Sequence, residues 1–213
     1  MESLIYDLLK NKKTEELIGK LKIDPTLLSF VDSRGASLLM LSFYFRNQEL
    51  SNYILSVKKP SNIYEAVIAG DVDATKSFLA SDPKSINKHS PDGFTALGFA
   101  AFFARPALAK YLLEQGADPN IPSNNDFKVA PLHSAVAAKS LEITLLLLEH
   151  GAEVNARQQN DVTPLHAAAH NSSLAIVNAL LQAGADKHLK TKDGKNAMDF
   201  AMEVNAKEII AIL

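Results

Sequence analysis

"VTPLHAAA", Val162 to Ala169, is the stretch that decides the fold, because the chain repeats it. "VAPLHSAV", Val129 to Val136, stands 33 residues before it, and "KNAMDFAM", Lys195 to Met202, stands 33 after it. "FTALGFAA", Phe94 to Ala101, is the same block another 35 residues upstream. A second, unrelated block keeps step: "LLEQGADPN" ending at Asn120, "LLEHGAEVN" at Asn155 and "LLQAGADKH" at His188. Two independent blocks on one period mark a repeat architecture. Upstream the pattern continues in weaker form. "RGASLLMLS" (Arg34 to Ser42) matches "DGFTALGFA" (Asp92 to Ala100) at an offset of 58, which reads as two short units. Asp24-Pro25 lies over Asp82-Pro83 at the same offset. Residues 2–22 and Ala66 to Leu79 read as further helix pairs.

Each unit has a physical reading. Thr163 is a good N-cap, and Pro164 suits the first helical position, where no N–H is needed. Leu165, Ala168 and Ala169 then share one face, and the alanines imply a close neighbouring helix. Ser173 is placed to cap a second helix, whose Ile176, Val177, Leu180 and Leu181 form an apolar stripe. Gly184 ends it, as Gly116 and Gly151 end theirs, in the left-handed conformation glycine tolerates best. A short extended loop follows, turning at Asp193-Gly194. Neither helix buries its face alone, but a stack of units does. The expected fold is an all-α helical solenoid of helix–turn–helix repeats joined by short hairpin loops.

These blocks resemble the ankyrin repeat family, whose marks are a Thr-Pro-Leu-His block and a 33-residue period. The matching residues are Thr163-Pro164-Leu165-His166, Ala130-Pro131-Leu132-His133, and the loops Gly116 to Asn120 and Gly151 to Asn155. The resemblance is strong over roughly residues 90–203, while residues 1–89 lack Pro-Leu-His and the Gly-Ala-Asp loop. We read residues 1–213 as a single domain of about seven units: 1–89 divergent, 90–190 well matched, and 191–213 a C-terminal cap that carries Lys195, Asp199 and Glu203 where inner units are blander.

Composition excludes several function classes. The chain is 47% hydrophobic and 22% charged with a net charge of −2, so nothing in its balance asks for a polyanion or a membrane partner. With no Cys, thiolate metal sites and disulfides are out. The N-terminus "MESLIYDLLKNKKTEELIGK" lacks the basic start, apolar run and cleavage site of a signal peptide, so a cytoplasmic location is expected. "DKHLKTKDGK" (Asp186 to Lys195) is locally basic but has no aligned Lys/Arg in neighbouring loops, so it reads as a solvated turn and not a nucleic-acid stripe. His133 and His166 share one repeat position and are read as structural, bonding the helix start to the next loop. His166 and His170 have ligand spacing on a helix, but no third ligand recurs nearby, so neither metal nor cofactor is expected. No nucleophile elbow or phosphate-cradling glycine loop occurs, so the chain is read as a non-enzyme.

The functional signal is aromatic. "GFTALGFAAFFARP" (Gly93 to Pro106) holds Phe94, Phe99, Phe102 and Phe103. Counting about 100° per residue from Leu97, Ala100, Ala101 and Ala104 stay on the packed side, while Phe102 and Phe103 turn away. Phe99 falls where Ser134 and Ala167 sit in later units and is assigned to packing between helices. Phe102 and Phe103 align with His170 and Asn171 downstream and with Tyr44 and Phe45 upstream. The resemblance implies that these slots and the loop tips face a concave groove where partners bind. Phe94, Val129 and Val162 align on the loops, and Phe127 stands at a loop tip. The candidate partner-binding residues are therefore Tyr44, Phe45, Phe94, Phe102, Phe103, Phe127, Val129, Val162, His170 and Asn171. The expected function is a protein–protein interaction module acting as a monomer on another protein through its concave groove. An inhibitor or immunity-type protein for a partner enzyme is a narrower version. The rival classes are an enzyme or ligand-binding protein using His133, His166 and His170, and a self-assembling module.

Overall fold

The computed structural model describes residues 1–213. Fourteen α-helices follow one another in pairs. They are α1 (Glu2–Lys10) with α2 (Thr14–Ile23), α3 (Leu38–Tyr44) with α4 (Gln48–Val57), and α5 (Ile63–Ala69) with α6 (Val72–Ser81). Then come α7 (Ala96–Phe102) with α8 (Pro106–Glu114), α9 (Pro131–Ala137) with α10 (Leu141–Glu149), α11 (Pro164–His170) with α12 (Leu174–Gln182), and α13 (Ala197–Glu203) with α14 (Lys207–Ile210). From α3 to α13 each first helix packs on the next first helix, and second helices form a second layer behind them. One contiguous apolar cluster runs through both layers from Ile5 to Ile209. No strands form. The loops carry only isolated bridges, Val31 to Ser37 and His89 to Thr95. The fold is thus an all-α solenoid.

Small residues set the spacing of the first layer. Ala100, Ala101, Ala135, Ala168, Ala169 and Ala201 are fully buried, where a longer side chain would hold neighbouring helices apart. Ile176, Val177 and Leu180 are buried from the second layer, while Leu181 is only half-buried. The turn between paired helices has one left-handed residue in every unit: Lys12, Arg46, Gly70, Ala104, Lys139, Ser172 and Asn205. At the other end of the second helices, Gly151 has φ +82 with open space around a would-be Cβ, so only its backbone demands glycine.

Two local readings need correction. Ser173 stands at the N-cap of α12, but its hydroxyl accepts no N–H from that helix. Its Oγ points to Asn171 O at 3.5 Å instead. The offset of 58 is also not two equal units. α3, α5 and α7 start at residues 38, 63 and 96, so the spacings are 25 and 33. The short spacing arises because α4 reaches α5 through Lys58 to Asn62 alone, with no projecting loop. The other loops preceding first helices from α3 onward project as fingers, at 31–37, 89–95, 122–130, 157–163 and 190–196.

Candidate functional site

The two repeat-position histidines brace the stack. His166 accepts the Thr163 backbone N–H at Nδ1 (3.1 Å) with the Thr163 hydroxyl 2.7 Å away. Its Nε2 must carry the proton, because it faces the Leu189 carbonyl at 3.1 Å, which only accepts. His133 likewise donates from Nε2 to Val162 O at 3.1 Å. There the N-cap is Ala130, which offers no hydroxyl, and His133 Nδ1 is buried without a partner, as is Ser134 Oγ. Burial lowers the His133 pKa from 6.5 to about 4, against the opposing pull of the Val162 carbonyl. Burial also lowers that of His166. Both rings are therefore neutral tethers between one first helix and the next finger. His170 is exposed at the end of α11, its ring edge-on to Phe200 at 6.1 Å.

The aromatic residues gather around α3, α7 and the fingers that precede them. Phe103 is their hub. Its ring stacks on Tyr44 (5.8 Å) and lies within 6.3 Å of Phe43, Phe99 and Phe102. It is half-buried, whereas Phe102, turned edge-on to it, is 46% exposed. Helical phase treats the two rings alike; packing separates them, because Phe103 lies past the end of α7 and folds back over Tyr44. Phe99 is 1% exposed and packs between helices against Phe94 and Tyr64. Phe45 sits further upstream, edge-on to Tyr6 at 5.8 Å. The Tyr44 hydroxyl donates to Asp92, bridging the end of α3 to the finger before α7. Burial and that carboxylate together push its pKa well above the usual phenol range.

A cleft of about 530 Å³ opens beside this cluster. Tyr44, Phe94, Phe127 and Pro91 line it, together with the polar residues Arg34, Asp92 and Asn125. Phe127 is 58% exposed. Three of the residues chosen from the sequence thus share one cavity. Val129 and Val162 are half-buried on the following fingers, outside this cleft. Asn171 donates its side-chain amide to the Val136 carbonyl at 3.3 Å, closing the end of the preceding first helix. Arg105 does the same for the Ile68 carbonyl with Nε and a terminal nitrogen, at 3.1 and 2.7 Å. Arg34, Pro91, Asp92 and Asn125 were not foreseen as site residues. The short spacing before α5, which brings the 31–37 and 89–95 fingers together, is the signal that could have found them. A larger cleft of about 720 Å³ lies at Lys59, Pro60, Asp71 and Phe78. Its Asp71 caps α6, accepting from Ala74 N at 2.9 Å, and no buried polar group points into it.

Residues 63–158 and 132–213 match the family described as ankyrin repeats, in three copies. The chain belongs to the ankyrin repeat family. Repeats of this family serve in general as protein–protein interaction modules. Over 139 residues the chain is 27% identical to a putative ankyrin repeat protein of Acanthamoeba polyphaga mimivirus, covering 61% of this chain and 18% of that one. It is 36% identical over 137 residues to neurogenic locus notch homolog protein 1 of Xenopus tropicalis, covering 64% of this chain and 5% of that one. A putative ankyrin repeat protein of fowlpox virus is 24% identical over 168 residues, 74% of this chain and 38% of the viral protein. The chain therefore spans well under half the length of these relatives. No helix in this ankyrin stack is long and apolar enough to cross a membrane.

Proposed function

We propose that this ankyrin repeat chain is a non-catalytic interaction module that works as a monomer and holds a partner protein in the groove along its first helices and fingers. The observation that carries this reading is the aromatic cleft. Phe127 exposes large apolar area in the wall of a cavity big enough for several side chains, and Phe102 exposes its ring against Phe103, which stacks on the cavity's Tyr44. Aromatic residues of this kind dominate interface energetics. Both histidines of the repeat position spend their Nε2 protons on carbonyls of the stack, which supports a bracing role over chemistry.

The test is affinity capture from the native source with three forms of the protein: wild type, Phe102→Ala/Phe127→Ala, and Leu145→Ala on the second-helix layer. A partner retained by wild type and Leu145→Ala but lost by the double variant supports the reading. A partner held equally by all three places the binding face elsewhere.

A further inference from the structure

The fingers form a row tied by backbone hydrogen bonds, and one finger position supplies the donor each time. Asn124 N donates to Gly93 O at 2.9 Å, Gln159 N to Phe127 O at 2.9 Å, and Lys192 N to Asn160 O at 3.0 Å. In the 89–95 finger that position is Pro91, which has no N–H to give. The finger that would precede it is the one missing before α5. Gly35 O, at the position of Gly93 O in the 31–37 finger, receives no backbone donor. Pro91 has closed on Gly35 instead, so tightly that a Cβ on Gly35 would lie 2.1 Å from Pro91 Cβ. The row is interrupted once, and the 530 Å³ slot opens at that interruption.

The charges of the slot are unevenly committed. Asp92 is spent, since one oxygen takes the Tyr44 hydroxyl and the other the Ser90 hydroxyl at 2.5 Å. Arg34 is only partly engaged: Nη2 donates to the Tyr6 hydroxyl at 2.6 Å and, with Nε, reaches Asp32 at 3.4 Å, while Nη1 makes no hydrogen bond and the side chain is 67% exposed. Asp32 already accepts from Ala36 N at 2.7 Å, Arg34 N at 2.9 Å and the Tyr6 hydroxyl at 2.7 Å. Burial pushes the Asp32 carboxyl up, but these bonds outweigh it and hold its pKa below the usual value. The slot therefore offers an apolar aromatic wall and one exposed cation with a free guanidinium nitrogen. A single cation is too little for a nucleic-acid backbone.

We propose that the slot receives a segment of a partner protein in which a large apolar side chain stands beside an acidic one. The apolar side chain fills the space between Tyr44, Phe94 and Phe127. The carboxylate pairs with Nη1 of Arg34, the guanidinium nitrogen that neither Tyr6 nor Asp32 occupies. This rests on the interaction-module reading and names the chemistry of the partner.

The test pans the full chain against random twelve-residue peptides and measures the enriched peptides by fluorescence anisotropy. The expected winners carry Asp or Glu within two residues of Leu, Ile, Phe or Trp. They should lose more than about tenfold in affinity to Phe127→Ala. They should lose a similar factor to Arg34→Glu, which should in turn favour peptides whose acid is changed to Lys. Both variants must keep the wild-type melting temperature. If Arg34→Glu unfolds the chain, the Phe127→Ala result and the acid-to-Lys peptides on wild type decide. Winners without an acidic residue, or indifferent to Phe127, overturn the proposal. If those winners are lost on Phe102→Ala, the groove reading survives. If no groove variant matters, it falls as well. A mass that doubles with concentration in wild type and not in Phe127→Ala assigns the slot to a second copy and also overturns the proposal.

Discussion

His133 and His166 hold the same position in consecutive units and differ in one neighbour. Thr163 supplies the hydroxyl beside His166, whereas Ala130 leaves His133 Nδ1 unpaired. Ala130→Thr is therefore expected to stabilise the fold by about 1 kcal/mol, the usual worth of an N-cap, read from the urea midpoint. His166→Ala should lower stability by about 1–2 kcal/mol through the lost bonds, with no effect on partner affinity once folded. Acid should act through the same rings. Both bind a proton less readily folded than unfolded, so unfolding takes up protons below pH 6.5, the ordinary histidine value. Stability is then full above pH 6.5 and falls as pH drops towards about 4, by at most about 3 kcal/mol for His133. Urea midpoints at pH 7 and pH 4.5 should differ less in His133→Gln than in wild type. The Thr-Pro-Leu-His block made the bracing role of these rings legible. The orphaned nitrogen was not, because it depends on what a neighbouring unit fails to provide.

Elements start and stop where local chemistry says. Thr95 caps α7 by accepting Gly98 N at 3.0 Å, and Asn196 with Asp199 forms a capping box at α13. Gly151→Val should be costly because a β-branched residue resists φ +82, and hydrogen exchange around Leu145 to Asn155 should accelerate first. Gly35 and Gly151 give a sharper comparison. Both have positive φ, but only Gly35 meets an obstruction. Gly35→Ala should therefore lower the melting temperature well beyond Gly151→Ala. Most helices were readable from period and caps. The unit of α5 was not measured correctly, since an offset of 58 gives the sum of two spacings and hides that one lacks its finger. Ser173 shows the same limit at smaller scale: a good cap residue in the right place turned its hydroxyl elsewhere.

At the scale of the molecule, Phe103 joins units that are not adjacent. It lies at the end of α7 yet stacks on Tyr44 of α3, with α5 packed between those two helices. Phe103→Ala should lower stability by roughly 2–4 kcal/mol, as for a truncated packed aromatic, while Phe102→Ala should leave melting nearly unchanged. Thermal melts of the two variants side by side check this. Exchange should then rise first in residues 1–62, which lie beyond the break. The aromatic band was legible in the sequence because four phenylalanines crowd one stretch. Which of them supports the stack and which faces outward depends on the end of a helix and on a distant tyrosine, and helical phase carries neither.

The break in the finger row also has a mechanical consequence. Downstream of residue 89, each finger is fastened to the next by backbone bonds, and His89 adds a further tie from Nε2 to Pro122 O at 2.9 Å. Between residues 37 and 89 no finger-to-finger backbone bond forms, and the front edge is held by ring contacts, the Pro91–Gly35 contact and side-chain bonds such as Tyr44 to Asp92 and Tyr64 to Lys88 O. Under tension applied at the two ends, the molecule behaves as a stiff spring in series with a soft one. The soft element is the one that carries the slot, so a load on the chain would change the shape of the slot before it disturbed the rest of the groove.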